Sequence, residues 1–331
     1  MVQGRRRIDL RTGAPAAHGG LHEAAVYSSE EEFMAIVVPF LHDGVEAGEP
    51  TLIGWSEPTS ALLRAAAEVP GVVLLDDTDG SRARPASLIK VNRAIFAAHV
   101  ADGARRIRIV GEVPHLALVA QWDQWARYEA ALNLAYATFP VWNICAYDTR
   151  AAPDRVIADV LRTHPHLATA DGRHRPNPRY EDAARYLARG APYEPDPLEV
   201  TTPPVVDLAD PTPRVARDAV RAVRSATQLT PEEVDDLVFA VNEAVTNALV
   251  HGRPPVRFRL WSAPQRVVAT VSDTGGGPTD PFAGLLPATR TASGGLGLWA
   301  IHQVCSDVRL HRGEHGFTIR LVTAVPEGRR A

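Results

Sequence analysis

The stretch VNEAVTNALVHG, Val241 to Gly252, decides how the chain is read. On a helix, Glu243 and Asn247 are four residues apart and share one face. Ala240 and His251 extend that face a turn in each direction. The other face carries Val234, Leu237, Val238, Val241, Val245 and Leu249, an apolar stripe suited to pressing on a sheet. Thr230 can cap the helix, Pro231 fits its first turn, and Glu233 completes a capping box. A firmly seated helix thus presents a carboxylate beside a carboxamide. The carboxylate can orient and deprotonate a nucleophile. The carboxamide oxygen is a hard ligand that suits Mg²⁺. Taken alone, this spacing also describes the wet side of any amphipathic helix, so the downstream sequence must decide.

Two strands follow, VRFRLW and RVVATVSD, joined by a short turn at Ala263 to Gln265. The second ends at Asp273, inside DTGGGP. A strand-end carboxylate can accept a bond from an exocyclic amine, and Gly275 and Gly277 let backbone approach a flat ring. A proline-containing loop then runs from Pro278 to Ser293. Gly294, Gly295 and Gly297 precede the helix of GGLGLWAIHQVC, where main-chain N–H groups make an anion site. DVRLHR, GEHG and FTIRLVTA form a final hairpin, and a helix from Arg214 to Ala226 precedes the set. The expected domain is an α/β sandwich with helices on one face of a mixed sheet.

The ordered set ExxxN, DxGxG and GxGL resembles the Bergerat (GHKL) ATP-binding fold, shared by gyrase, Hsp90, histidine kinases and the anti-sigma-factor serine kinases. The resemblance covers roughly Val205 to Ala324. It implies ATP and Mg²⁺ as cofactors, with Asn247 holding the metal and Glu243 as general base. It implies that Asp273 binds the adenine amine, with Gly275 and Gly277 shaping that pocket. Gly295, Leu296 and Gly297 would cradle the phosphates, and Pro278 to Ser293 would be the ATP lid. DTGGGP carries one more glycine than a minimal DxGxG. NEAVTNALVHG is most similar to the anti-sigma-factor serine kinases, where the Glu activates a serine hydroxyl on an anti-anti-sigma (STAS) protein and the domain also binds a sigma factor. His251 could face the same cleft or simply end the helix favourably for its dipole.

Upstream, the pattern changes. GAPYEPDPLEVTTPPVVDLADPTP is rich in proline and acid and has no hydrophobic period, which predicts a semi-rigid linker over 190–210. Before it, from His22, short apolar strands alternate with helices, which predicts βαβ units and a mainly parallel sheet. No GxxxxGK[ST] or GxGxxG follows any of these strands. A ligand would then sit at the strand C-terminal ends. Glu112, Tyr147 and Asp148 lie there, Tyr128 and Glu129 lie on a following helix, and His164 ends the last one. Polar groups at such ends also serve as caps and packing. HEAAVYSSEEEF, WARYEAALN, and ICAYD followed by THP resemble a MEDS domain, a bacterial sensory module on a RecA-like α/β plan, over about Leu21 to Leu187. It implies signal input, of which a small molecule is one form, without defined chemistry.

The expected organisation is a flexible tail (1–20), a MEDS-like sensory domain (21–189), the linker (190–210), an ATP-binding kinase domain (211–325) and a short tail (326–331). With 45% hydrophobic and 22% charged residues, the composition is that of a soluble globular protein. A formal net charge of −4 gives no general attraction to nucleic acid. Cys145 and Cys305 suggest neither a disulfide framework nor a metal knuckle and read as core residues, which fits the cytoplasm. No apolar run is long enough to cross a bilayer.

The expectation is an anti-sigma regulatory factor with serine/threonine kinase activity, controlled by its N-terminal domain. Its partners would be a sigma factor and a STAS protein, and a homodimer is compatible with this. One rival is an atypical sensor histidine kinase, but no histidine lies between Gly190 and Val220, where a phosphoacceptor hairpin belongs. The other is an ATP-binding module that sequesters sigma without phosphotransfer.

Overall fold

The computed structural model describes residues 20–54, 61–75, 84–113, 122–190, 193–287 and 296–325. The chain divides into two compact units, Met1–Leu187 and Ala188–Ala331. Residues 1–19 and 326–331 of the expected tails, and residues 288–293 of the expected lid, lie outside the described residues.

The first unit is built on β1 (Leu21–Tyr27), α1 (Glu30–Glu46), β2 (Thr51–Gly54), α2 (Ala61–Ala66), β3 (Val73–Leu75), α3 (Pro85–Ala101), β4 (Ile107–Glu112) and α4 (Trp122–Ala135). It continues through β5 (Val141–Asp148), α5 (Asp154–Thr163), β6 (His166–Ala168), β7 (His174–Pro176) and α6 (Ala183–Ala188). The sheet order is β3-β2-β4-β5-β1-β6-β7, with every pairing parallel except β6–β7. All eight residues of β5 are buried, as a central parallel strand covered on both faces requires. Ser29 caps α1 by accepting from the Glu32 N–H, and Glu32 accepts in turn from the Ser28 N–H, one residue before the cap. The hairpin β6–β7 was not expected from the sequence. Its strands are only three residues long, below the length at which alternation can be read.

The second unit contains α7 (Pro197–Thr201), β8 (Val206–Ala209), α8 (Pro213–Ala222), a 3-10 turn at Arg224–Ala226 and α9 (Pro231–His251). Then come β9 (Arg257–Ala263), β10 (Arg266–Asp273), α10 (Leu296–Val304), β11 (Asp307–Gly313) and β12 (Gly316–Ala324). The sheet, ordered β11-β12-β10-β9-β8, is wholly antiparallel rather than mixed, because each strand returns by a hairpin or lies beside β9. The capping box of α9 is formed: the Thr230 side chain accepts from the Glu233 N–H at 3.2 Å, and Glu233 accepts from the Thr230 N–H at 2.8 Å. Val234, Leu237, Val238, Val241 and Val245 are buried against Phe258, Leu260, Val267, Ala269 and Leu321 of the sheet. Each such side chain contributes about 1.5–3 kcal/mol on burial.

Two positions on α9 correct the expected faces. Leu249 is 46% exposed, whereas Ala240 is fully buried. The buried arc is centred nearer Ala244 and Ala248, because α10 also packs on α9 and covers a second flank.

The expected linker is a further correction. Residues 194–209 belong to the second unit. Asp196 is 3% exposed, caps α7 in a capping box and pairs with Arg266 of β10. Leu198 packs on Trp261, Val268 and Val322, on the sheet face opposite α9, and the Trp261 indole donates to the Thr202 carbonyl. Arg320 of β12 reaches the Glu194 carbonyl and Glu199. β8 then joins the sheet edge beside β9. The prolines only start and stop α7 and keep it short. No helix among the described residues is long and apolar enough to cross a membrane.

Candidate functional site

A pocket of about 480 Å³ opens in the second unit between the C-terminal half of α9, the end of β10 and the start of α10. Its walls include Asn247, His251, Asp273, Gly277, Gly297 and Phe317. Its size lies within the ordinary range for small-molecule sites.

Asp273 is buried, and its Oδ1 accepts from the Arg253 N–H at 3.0 Å and the Gly275 N–H at 2.6 Å. These bonds lock the carboxylate and leave Oδ2 without a main-chain donor among the described residues. Thr274 ties the loop back, with its N–H on the Arg253 carbonyl and its hydroxyl on the Pro254 carbonyl. Gly277 has φ +66°, and a Cβ there would stand 2.3 Å from the Phe317 ring, so only glycine fits this turn without displacing the pocket wall. The additional glycine, Gly276, faces open space and imposes nothing on the site.

Glu243 stands at the edge of the pocket rather than in its lining. A Cβ on Gly297 would lie 2.9 Å from Glu243 Oε2 and 3.5 Å from Asn247 Nδ2, so the start of α10 meets these two side chains directly. Glu243 Oε1 accepts from the Asn242 amide, whose oxygen accepts from Arg217 on α8. His251 ends α9 and also lines the pocket, so both of its expected placements hold.

In the first unit, buried side chains from four elements converge. His22 of β1, Glu129 of α4, Cys145 of β5 and His164 after α5 are each under a tenth exposed. Glu129 Oε2 lies 3.2 Å from His22 Nε2 and 3.3 Å from His164 Nε2. Burial works to raise the Glu129 carboxyl, and a ring N–H of His164 or His22 donating to it lowers it below the usual carboxylate range. Burial, and then Glu129, push the Cys145 thiol up. Tyr147 stacks edge-on to His164 with ring centres 5.7 Å apart. Tyr128 is buried and lines a small cavity with Glu129 and Cys145. Glu112 lines the same small cavity, and its carboxylate accepts from the Tyr27 hydroxyl at 3.4 Å, whereas Asp148 is outside that lining and tied to Arg150 at 2.6 Å.

Comparison with known proteins places these two units. Residues 21–165 match the family described as MEDS, the methanogen/methylotroph, DcmR sensory domain. Residues 208–323 match the histidine kinase-like ATPase domain. The chain joins a MEDS domain to a histidine kinase-like ATPase domain. It is 28% identical over 155 residues to the transcriptional repressor DcmR of Methylorubrum extorquens, a match covering 43% of this chain and 57% of DcmR. Among solved structures, the mycobacterial sensor histidine kinase MprB is similar at 20% identity and a TM-score of 0.26, over 36% of this chain and 96% of that one. The histidine kinase domain of the E. coli osmosensor EnvZ matches at 21% identity and a TM-score of 0.24, over 40% of this chain and 96% of that one.

Of the residues expected from the sequence in the ATPase domain, Asn247, Asp273, Gly277 and Gly297 share one pocket, with Glu243 at its edge and Gly275 locking Asp273. Leu296 is 59% exposed and outside the lining, and Gly295 lies outside the described residues. In the MEDS domain, Glu129 meets His164, Tyr147 stacks on His164, and Glu112 and Tyr128 line one cavity with Glu129, whereas Asp148 stands apart, held by Arg150. Sequence reasoning missed His22, Cys145, Asn242 and Arg217 as neighbours of the sites. A histidine in LHEAAVY and a cysteine in VWNICAYD, strands of a parallel sheet covered on both faces, were the available signal for the first two.

Proposed function

We propose that the ATPase domain is an ATP-dependent serine/threonine protein kinase that acts on an anti-anti-sigma (STAS) protein and holds a sigma factor, under control of the MEDS domain. The carrying observation is the single pocket that gathers Asn247, Asp273, Gly277 and Gly297, with Glu243 at its rim. Its volume and its locked carboxylate fit a nucleotide. The free acceptor of Asp273 suits an exocyclic amine, and the main-chain N–H groups at the start of α10 suit phosphate. Asn247 offers one neutral oxygen, a donor set that fits Mg²⁺ sharing its remaining positions with phosphates and water. Bound Mg²⁺ would neutralise phosphate charge. Glu243 would orient the incoming hydroxyl and take its proton, and Asn242 and Arg217 hold that carboxylate in place.

The segment ahead of the ATPase domain supports a serine/threonine acceptor over histidine. Residues 194–209 form a strap and an edge strand of that domain and contain no histidine. Similarity to a transcriptional repressor is consistent with a regulatory setting. The test is incubation of the full chain with labelled ATP and candidate STAS proteins, with Glu243→Ala alongside. Nucleotide binding with loss of transfer in that variant is the expected result. Transfer at the parental rate in Glu243→Ala would remove the base assignment. Binding of ATP and sigma with no transfer by the parent chain would leave a sequestering module instead.

A further inference from the structure

We propose that His22, Glu129, Cys145 and His164 form a buried site for one four-coordinate transition-metal ion of the Zn²⁺ type. This site lies in the MEDS domain and does not depend on the reading of the ATP pocket.

The spacing carries the inference first. One ligand atom from each of the four residues can be chosen so that all lie within 4.8 Å of one another. The measured edges are 3.2 Å from His22 Nε2 to Glu129 Oε2, 3.4 Å from His22 Nε2 to Cys145 Sγ, 3.3 Å from His164 Nε2 to Glu129 Oε2, and 3.5 Å from Cys145 Sγ to Glu129 Oε2. Ligands at zinc-like distances on a tetrahedron stand roughly 3.3–3.6 Å from one another. The four edges follow that pattern, with the nitrogen–oxygen edges shorter than those that include sulfur.

The hydrogen bonds around the histidines carry it further. His164 Nδ1 lies 2.8 Å from the Val160 carbonyl, which can only accept, so Nδ1 carries the proton. Asn133 donates its amide to the Thr163 carbonyl at 2.8 Å, which turns its oxygen toward His22 Nδ1 at 3.2 Å. That nitrogen is therefore protonated too. In the neutral rings, both Nε2 atoms then present bare lone pairs to the cluster. This is how metal-bound histidines are held by their outer partners. His164 Nε2 is fully buried and has no partner in hydrogen-bond geometry among the described residues, although Glu129 is close. It points into the cluster and not along a bond to Glu129.

The single thiol proton can satisfy only one of the three buried acceptors facing that point, and the acceptors left over repel one another unless a cation lies between them. Two neutral imidazoles, one carboxylate and one thiolate carry two negative charges, which a divalent ion neutralises, the thiol proton leaving to solvent on binding. Imidazole, thiolate and carboxylate at tetrahedral spacing suit zinc better than harder cations. A cavity of about 40 Å³ touches Glu129 and Cys145, which is room for water to reach that side. The rival is a network of protons shared between Glu129 and the two histidines.

The experiment uses the full chain. Protein purified without chelator is measured for metal by elemental analysis, then stripped and titrated with Co²⁺ alone. One equivalent of Co²⁺ should bind, with the visible bands of a tetrahedral ion and a thiolate-to-cobalt charge-transfer band, and Zn²⁺ should displace it. Cys145→Ser should abolish the charge-transfer band, Cys305→Ser should leave it unchanged, and Glu129→Gln should weaken Co²⁺ binding by at least about tenfold, the lower end for lost ligand-shell contacts. A folded parent protein that shows no thiolate charge-transfer band with Co²⁺ overturns the proposal, whatever the variants do. So does a band that survives Cys145→Ser or disappears with Cys305→Ser.

Discussion

Asp273→Asn separates recognition of the base from integrity of the fold. In the parent, Asp273 Oδ1 accepts from the Arg253 and Gly275 N–H groups at 3.0 and 2.6 Å. Asparagine keeps that oxygen, so both bonds persist as neutral ones. The lost charge assistance amounts to about 1–3 kcal/mol of stability for the two together. The other oxygen becomes an NH₂ group. Rotating the amide gives no escape, because the NH₂ would then face two main-chain donors. Where the parent carboxylate would accept from the exocyclic amine of a bound adenine, the variant would set donor against donor. Loss of that bond and the mismatch together cost roughly 2–4 kcal/mol of binding, or about 30- to 700-fold in affinity. The assay is calorimetric titration of the full chain with ATP and Mg²⁺, with circular dichroism as the control on folding. GTP offers a carbonyl at the same ring position, so the variant should lose far less affinity for GTP than for ATP. A folded Asp273→Asn protein that binds ATP within about twofold of the parent would refute the base-recognition argument, since a single lost bond is worth more than that.

Asn247→Ala should weaken ATP binding mainly when Mg²⁺ is present, and a titration with and without the metal reads the difference. Gly277→Ala should destabilise the ATPase domain by about 2–5 kcal/mol, from a left-handed φ and a clash with Phe317. A urea midpoint unchanged from the parent would contradict this. A fragment spanning 188–331 should fold and bind ATP, whereas one starting at residue 211 should be less stable, because it loses β8 and uncovers Trp261, Val268 and Val322. Equal denaturation midpoints for the two fragments would show that the strap adds nothing. The 188–331 fragment should also differ from the full chain in STAS phosphorylation or sigma affinity; identical activities would make the MEDS domain a passive tether.

Much of this was legible in the chain because it is local. The start of α9 could be read from Thr230, Pro231 and Glu233, whose capping bonds span three residues. β10 could be read from its apolar run, and its end fixed Asp273 at a strand terminus. Asn247, Asp273, Gly277 and Gly297 of the pocket lining lie in the three short motifs, whereas Leu296 of the third is outside it. What the sequence did not reveal depends on partners distant along the chain. Asp196 and Leu198 look like linker residues until Arg266 and Trp261 are placed beneath them. Ala240 and Leu249 exchange their expected environments because α10 covers one flank of α9. His22, Glu129, Cys145 and His164 carry no spacing signal, since each comes from a different element. Only the parallel pairing of β1 with β5, and the packing of α4 and α5 around them, closes that cluster away from water, where lone pairs and charge must find a partner.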